Sequence, residues 1–208
     1  MRRVVKGDTP LFWMEFMKAH PCIQYEDLNQ LVEGKTLRGK IRSQLVQEQQ
    51  YLCAYCCKSI DESNAHNEHI RPQSQFPQAS MEYGNLIASC MTSGSTLTCG
   101  MRKGDQYDNE MFFSPLQHDC ASHFEFAQDG RILGVTEQGQ YTVDLLNLNA
   151  YSLKEARRAL FCEELKSAIV CGKDYVYEYY IQPQNGRLPR FVDMTAYFYD
   201  NGYFDQEQ

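Results

Sequence analysis

No apolar run in this 208-residue sequence approaches the roughly 18 residues that a membrane-spanning helix needs, so no membrane segment is expected. A cationic excess is also absent: 20 Lys and Arg stand against 27 Asp and Glu, a formal charge of −7. Phosphate neutralisation supplies most non-specific affinity for nucleic acid, so this balance argues against strong, autonomous binding to bulk nucleic acid. It leaves room for a nucleic-acid enzyme with a local basic strip or with a partner that does the holding. The opening "MRRVVKGDTPLF" has no apolar core and no small-residue cleavage site, so it does not read as a secretory leader and the expected compartment is the cytoplasm. Internal repeats and low-complexity linkers are missing too. With 43% hydrophobic and 23% charged residues, the composition suits one globular domain with extensions or two small ones.

Cysteine is what the sequence has in quantity: nine, an odd number. With no export signal these are poor disulfide candidates, and clustered ones are weighed first as metal ligands. They fall mostly in the middle of three compositional regions. Residues 1–50 are expected to be helical, because "LFWMEFMKAH", "YEDLNQLV" and "LRGKIRSQLVQEQQYL" repeat apolar residues at three- and four-residue steps. Lys35, Arg38, Lys40 and Arg42 lie there with no acid between them; a solvated helix face is expected, with a phosphate-contacting strip as the alternative. Residues 51–110 lose that periodicity and gain Cys, His, Asn, Gly and Ser, which implies a small module not held by a large core. Residues 111–208 are an extension. It starts with short strands turning at Asp129-Gly130 and at Gly139, and continues with a helix over 152–171 opened by a Ser152–Glu155 capping box and stopped by Gly172. Its aromatic tail is expected to pack as core rather than form a partner surface.

Cys53 and Cys56 form a C-x-x-C knuckle, and Cys90 and Cys99 a looser second one, the make-up of a tetrahedral four-cysteine zinc site. Cys57 competes with Cys56 for the first knuckle but fits it less well. Cys22, Cys120, Cys162 and Cys171 are expected to fill core, and His118 and His123 to be surface or core residues rather than a second metal pair. Between the knuckles, "AHNEHIRP" reads as a strand ended by Pro72, which puts His66 and Glu68 on one face and His69 on the other.

C-x-x-C, then "EHIRPQS", then "GNLIASC", then "CGMRKG" follow in an order that resembles the HNH endonuclease family in its four-cysteine zinc form. The match covers residues 53–105, and the flanks resemble the branch that serves as the nuclease subunit of Septu-type and retron-linked antiphage systems, beside an ATPase of the SMC/ABC kind. The resemblance implies an α+β fold: a small ββα-metal core clamped by structural zinc on Cys53, Cys56, Cys90 and Cys99, with N-terminal helices and a C-terminal hairpin and helix extension. It implies that His69 is the general base, that Glu68 binds a catalytic Mg or Mn ion, and that Asn85 holds the loop that orients His69. Many four-cysteine members carry Asn or His directly after the final cysteine, where this chain has Gly100. If "GMRKGDQYD" is helical, Asp105 is the next choice for the second ligand and Asp108 the one after. His66 could also reach the ion, or Glu68 could hold it with waters and the substrate phosphate. Lys103 and Arg102 are candidate phosphate contacts; Arg71 and Ser74 are expected to be structural. DNA is the expected substrate. An RNA-cleaving nuclease and a zinc-stabilised adaptor without catalysis are the other readings. Within 51–110, Lys58, Arg71, Arg102 and Lys103 face Asp61, Glu62, Glu68, Glu82, Asp105, Asp108 and Glu110, four against seven, so a partner is expected to supply DNA capture.

Overall fold

The computed structural model describes residues 1–94 and 96–205. Helix α1 (Leu11–Ala19) starts after Pro10, whose carbonyl accepts the amides of Trp13 and Met14, and it buries Trp13. A 3-10 turn (Glu26–Asn29) leads into α2 (Gly34–Glu48), which buries Leu37, Ile41 and Leu45 at four-residue spacing. Only glycine fits at the head of α2, since a Cβ on Gly34 would meet the Leu28 carbonyl oxygen at 1.9 Å. The helix ends where Gln50 and Tyr51 both turn left-handed, at φ 54° and 64°. This abrupt reversal delivers the chain into the first cysteine knuckle.

Strand β1 (Ala65–His69) pairs antiparallel with β2 (Leu86–Cys90), from Ala65 opposite Cys90 to His69 opposite Leu86. The short helix α3 (Cys99–Lys103) packs on β2, which completes a ββα unit, and α2 covers both strands. A second hairpin, β3 (Phe124–Phe126) and β4 (Ile132–Gly134), turns at Gly130 (φ 84°) as the Asp129-Gly130 pair predicts. The fold is α+β, and among the described residues no helix is long and apolar enough to cross a membrane.

Two expected details of the extension are corrected. Gly139 is not a turn: it lies inside α4 (Glu137–Leu145), capped by Thr136, whose Oγ1 accepts the Gly139 amide. Glycine is required there because a Cβ would lie 2.4 Å from the His123 carbonyl oxygen, so close packing, not a reversal, explains the residue. The capping box is not formed either. Helix α5 (Tyr151–Ala159) begins after Ala150 with no side-chain cap, Ser152 is already within it, and Glu155 pairs with Arg158 at 2.7 Å. It runs on through a π-helical stretch (Leu160–Leu165) and α6 (Lys166–Ala168), then stops at Gly172 (φ 91°) as expected. Helices α7 (Lys173–Tyr180) and α8 (Val192–Asp200) follow. The tail divides: Phe191, Val192, Met194, Phe198 and Phe204 are buried, while Tyr175, Tyr177 and Tyr179 face solvent.

One apolar cluster runs from Met1 and Trp13 through Ile41, Tyr55, Ile87 and Leu146 to Phe161 and Phe204, so all three compositional regions share it.

Candidate active site

The reversal after α2 is held by a residue with no motif signature. Gln49 is buried; its amide nitrogen donates to the carbonyls of Leu52 and Ala88, each at 2.8 Å, and its oxygen accepts the Ala88 amide at 2.7 Å. This sets the first knuckle against β2. Cys53, Cys56, Cys90 and Cys99 come together there, all four buried, with their sulfurs within 4.8 Å of one another. Cys56 Sγ and Cys90 Sγ are 3.8 Å apart. Four thiolates placed tetrahedrally at about 2.3 Å from one ion would be separated by about 3.8 Å, so the cluster has the dimensions of a closed metal site. Burial would raise the Cys53 thiol, but hydrogen bonds from Cys56, Cys90 and Cys99 hold it well below its usual value. Cys56 is raised by its contacts with Cys53 and Cys90, and Cys99 is raised by burial. Cys53 is thus favoured as a thiolate, the form in which a cysteine binds a cation. Cys57 is buried elsewhere, against Leu52 and Val192, and takes no part.

His69 ends β1, 6% exposed. Its ring packs edge-on to Tyr25, with centroids 4.7 Å apart, and its Nε2–H donates to the Ser80 carbonyl at 2.9 Å. That bond places the proton on Nε2 and leaves Nδ1 as the basic nitrogen. Burial lowers the His69 pKa, so the imidazole is neutral near pH 7 and can accept a proton. Asn85 hydrogen-bonds across the loop that follows His69. Its Oδ1 accepts the Arg71 amide at 2.8 Å, and its Nδ2 donates to the carbonyls of Arg71 and Ala79, at 3.0 and 3.1 Å. Ala79 adjoins Ser80, so the same clamp sets the carbonyl that orients His69.

Glu68 is buried on the opposite face with His66, as strand alternation predicts; His66 Nε2 and Glu68 Oε2 meet at 3.2 Å. Glu68 Oε1 is held by the Lys103 ammonium at 2.9 Å and by the Tyr55 hydroxyl at 3.1 Å. Burial would push the Glu68 carboxyl up, yet the His66 contact and the Lys103 ammonium keep it below the ordinary carboxylate range.

Lys103 is therefore not the exposed phosphate contact that the sequence suggests. It is 1% exposed, and its ammonium also donates to the His69 carbonyl at 2.9 Å. Asp105 departs from expectation as well. Helix α3 stops at Gly104 (φ 52°), so Asp105 is not one turn on from Met101. Among the described residues the four cysteines are the one group of three or more His, Cys, Asp or Glu side chains gathered closely enough to hold an ion; Asp105 does not join His66 and Glu68. It is exposed, on the rim of a cleft of about 420 Å³. Asp108 closes a local turn by accepting the amides of Glu110 and Met111. Arg102 is exposed on α3. His123 stacks on Phe113 and contacts Thr136 and Asp119.

The cleft lies beside the elements that hold His69, lined by Tyr25, Ser80, Asn29, Arg38, Ser74 and Asp105. The basic stretch of α2 splits over it. Arg38 turns onto Asn29, and Arg42 reaches the Ala65 carbonyl, whereas Lys35 and Lys40 are solvated. Sequence reasoning missed Tyr55, Ser80, Tyr25 and Gln49. Tyr55 could have been found, since it sits inside the C-x-x-C; Ser80 acts through its carbonyl, which any residue carries.

No family model matches the chain. Among curated proteins it is similar to one from Escherichia coli described as a "Retron Ec83 putative HNH endonuclease", 28% identical over an alignment that takes in 77% of this chain and 79% of that protein. That relative, together with the meeting of the two knuckles at one point, bears out what the motif order suggested: the chain resembles an HNH endonuclease of the four-cysteine kind.

Proposed function

We propose that the chain is a metal-dependent HNH nuclease that hydrolyses phosphodiester bonds of DNA, with His69 as general base. The observation that carries this reading is the placement of His69. Its Nε2 is engaged by the Ser80 carbonyl, its Nδ1 has no hydrogen bond among the described residues, and it directly follows a buried, ionised carboxylate. A neutral imidazole with a fixed proton on one nitrogen can take a proton from water only on the other, which gives the attack a direction. Asn85 keeps the loop from Arg71 to Ser80 in place while this happens. A divalent ion held at Glu68 would supply positive charge to the phosphate and to the leaving oxygen. Zinc on the four thiols has a structural part, since a closed four-thiolate site offers no position for water.

Arg38 at the cleft and Arg102 on α3 are the proposed phosphate contacts. Both are few against the surrounding acids, so DNA capture falls to a partner, for which an ATPase of the SMC/ABC kind is proposed. The retron relative supports a defence setting for such a pair. The test is plasmid cleavage by zinc-loaded protein with magnesium or manganese, with and without an ATPase encoded beside it, wild type against His69→Ala. Cleavage lost in the variant supports the assignment. Cleavage retained by His69→Ala would sink it, and a folded wild type that cuts RNA alone, or nothing, would favour the RNA-cleaving or the adaptor reading.

A further inference from the structure

The position directly after the last cysteine is Gly100, so it cannot supply the side-chain ligand that the resemblance implies there. The space beside it is filled from another strand. A Cβ on Gly100 would lie 2.4 Å from Glu68 Oε2 and 2.8 Å from His66 Nε2, so these two donors occupy the volume where a side chain of residue 100 would begin. They are 3.2 Å apart. Adjacent ligands on a six-coordinate ion with bonds of about 2.1 Å are separated by about 3.0 Å, so the pair can close on one ion with little movement. Lys103 and Tyr55 already hold Glu68 Oε1, which leaves Oε2 as the oxygen turned toward His66. The His66 side chain is 21% exposed, and water or a phosphate oxygen would complete the coordination from its side of the pair.

We infer that His66 Nε2 and Glu68 Oε2 together are the protein ligands of the catalytic ion, and that Gly100 lacks a side chain because these two donors take its place; the inference rests on the nuclease reading of this site. It also selects a class of ion. The imidazole nitrogen favours first-row transition ions over magnesium, with manganese the weakest binder of that series. His66 Nδ1 is buried without a hydrogen-bond partner among the described residues. No second acceptor supports the imidazole, so the affinity belongs at the weak end of such sites.

The test uses full-length, zinc-loaded protein and Mn²⁺ as the probe, with bound ion measured by loss of the free Mn²⁺ resonance. Wild type should bind one Mn²⁺ and yield it to Mg²⁺ only at large excess. His66→Ala should weaken binding by more than the roughly 10–100-fold that loss of a hydrogen-bond partner behind a metal ligand costs, with zinc content unchanged. His69→Ala should keep Mn²⁺ binding while losing cleavage. Wild-type affinity in His66→Ala, or no Mn²⁺ binding by wild type, overturns the inference even where His69→Ala shows that the nuclease reading stands. Mn²⁺ binding that depends on His66, in a protein that cleaves no nucleic acid, keeps the ion site and removes the nuclease reading instead.

Discussion

Lys103→Met tests the electrostatics at the centre of the site. The Lys103 ammonium lies 2.9 Å from Glu68 Oε1 and 2.9 Å from the His69 carbonyl, and the two side chains are 1% and 8% exposed. Methionine keeps the apolar stem and removes the charge, so Glu68 is left as a buried anion held by the Tyr55 hydroxyl and His66. Breaking a buried pair from one side costs about 3–5 kcal/mol, because the remaining charge loses its compensation. For a chain of this size 1 kcal/mol corresponds to about 2–4 °C, so the melting temperature should fall by about 6–20 °C. Lys103→Met with Glu68→Gln removes both charges and should melt above either single variant. A surface pair provides the control: Arg71 and Glu82 meet at 2.7 Å but are 38% and 52% exposed, and Arg71→Ala should cost no more than about 1 kcal/mol. Differential scanning calorimetry on zinc-loaded protein measures all four. A Lys103→Met variant melting within about 2 °C of wild type, or a double variant melting below both singles, would refute the argument.

Two further outcomes follow from the frame around the site. Cys53→Ser, or a strong chelator on the wild type, should release zinc and lower the melting temperature together, because a structural metal contributes folding free energy directly; a zinc-free variant that melts like wild type would count against the four-thiolate site. Gln49→Ala should cost about 1–3 kcal/mol for each buried partner left without a hydrogen bond, among Leu52 O, Ala88 O and Ala88 N, and should weaken zinc retention as well. Urea denaturation with a zinc-release dye reads both, and an unchanged midpoint would remove Gln49 from the frame.

Much of the frame was legible where a residue's identity and its neighbours in sequence decide its place. The knuckle spacing, the strand alternation that puts His66 with Glu68, and the Asp129-Gly130 turn are of that kind. Readings failed where a distant backbone atom decides. Gly139 resembles a turn glycine, but its reason is the His123 carbonyl sixteen residues earlier. Ser152 and Glu155 satisfy a capping pattern, but the helix begins a residue sooner, after Ala150. Asp105 has helical spacing from Met101, but Gly104 at φ 52° breaks the helix between them. Lys103 looks like any lysine in a basic run, and only the position of β1 shows that its partner is Glu68.

The same distinction explains why so short a motif sits in so long a chain. A ββα unit of some fifty residues buries little on its own, and hydrogen bonds from outside it add to those of Asn85 and Lys103 within. Ser80, whose carbonyl orients His69, takes its side-chain contact from the Tyr25 amide, and the neighbouring Met81 carbonyl accepts the Trp13 indole. On the other side the Cys99 amide donates to the Leu146 carbonyl, and Asn147 reaches the Leu97 carbonyl, so the end of α4 sets the second knuckle. The first knuckle is pinned by the aromatic tail, through Phe191 N to Cys57 O at 2.7 Å and Leu188 N to Gln50 O at 3.1 Å. The N-terminal helices thus position the proposed base, and the extension positions the thiols. On the proposed mechanism the motif residues supply the chemistry, and the rest of the chain supplies the placement on which that chemistry depends.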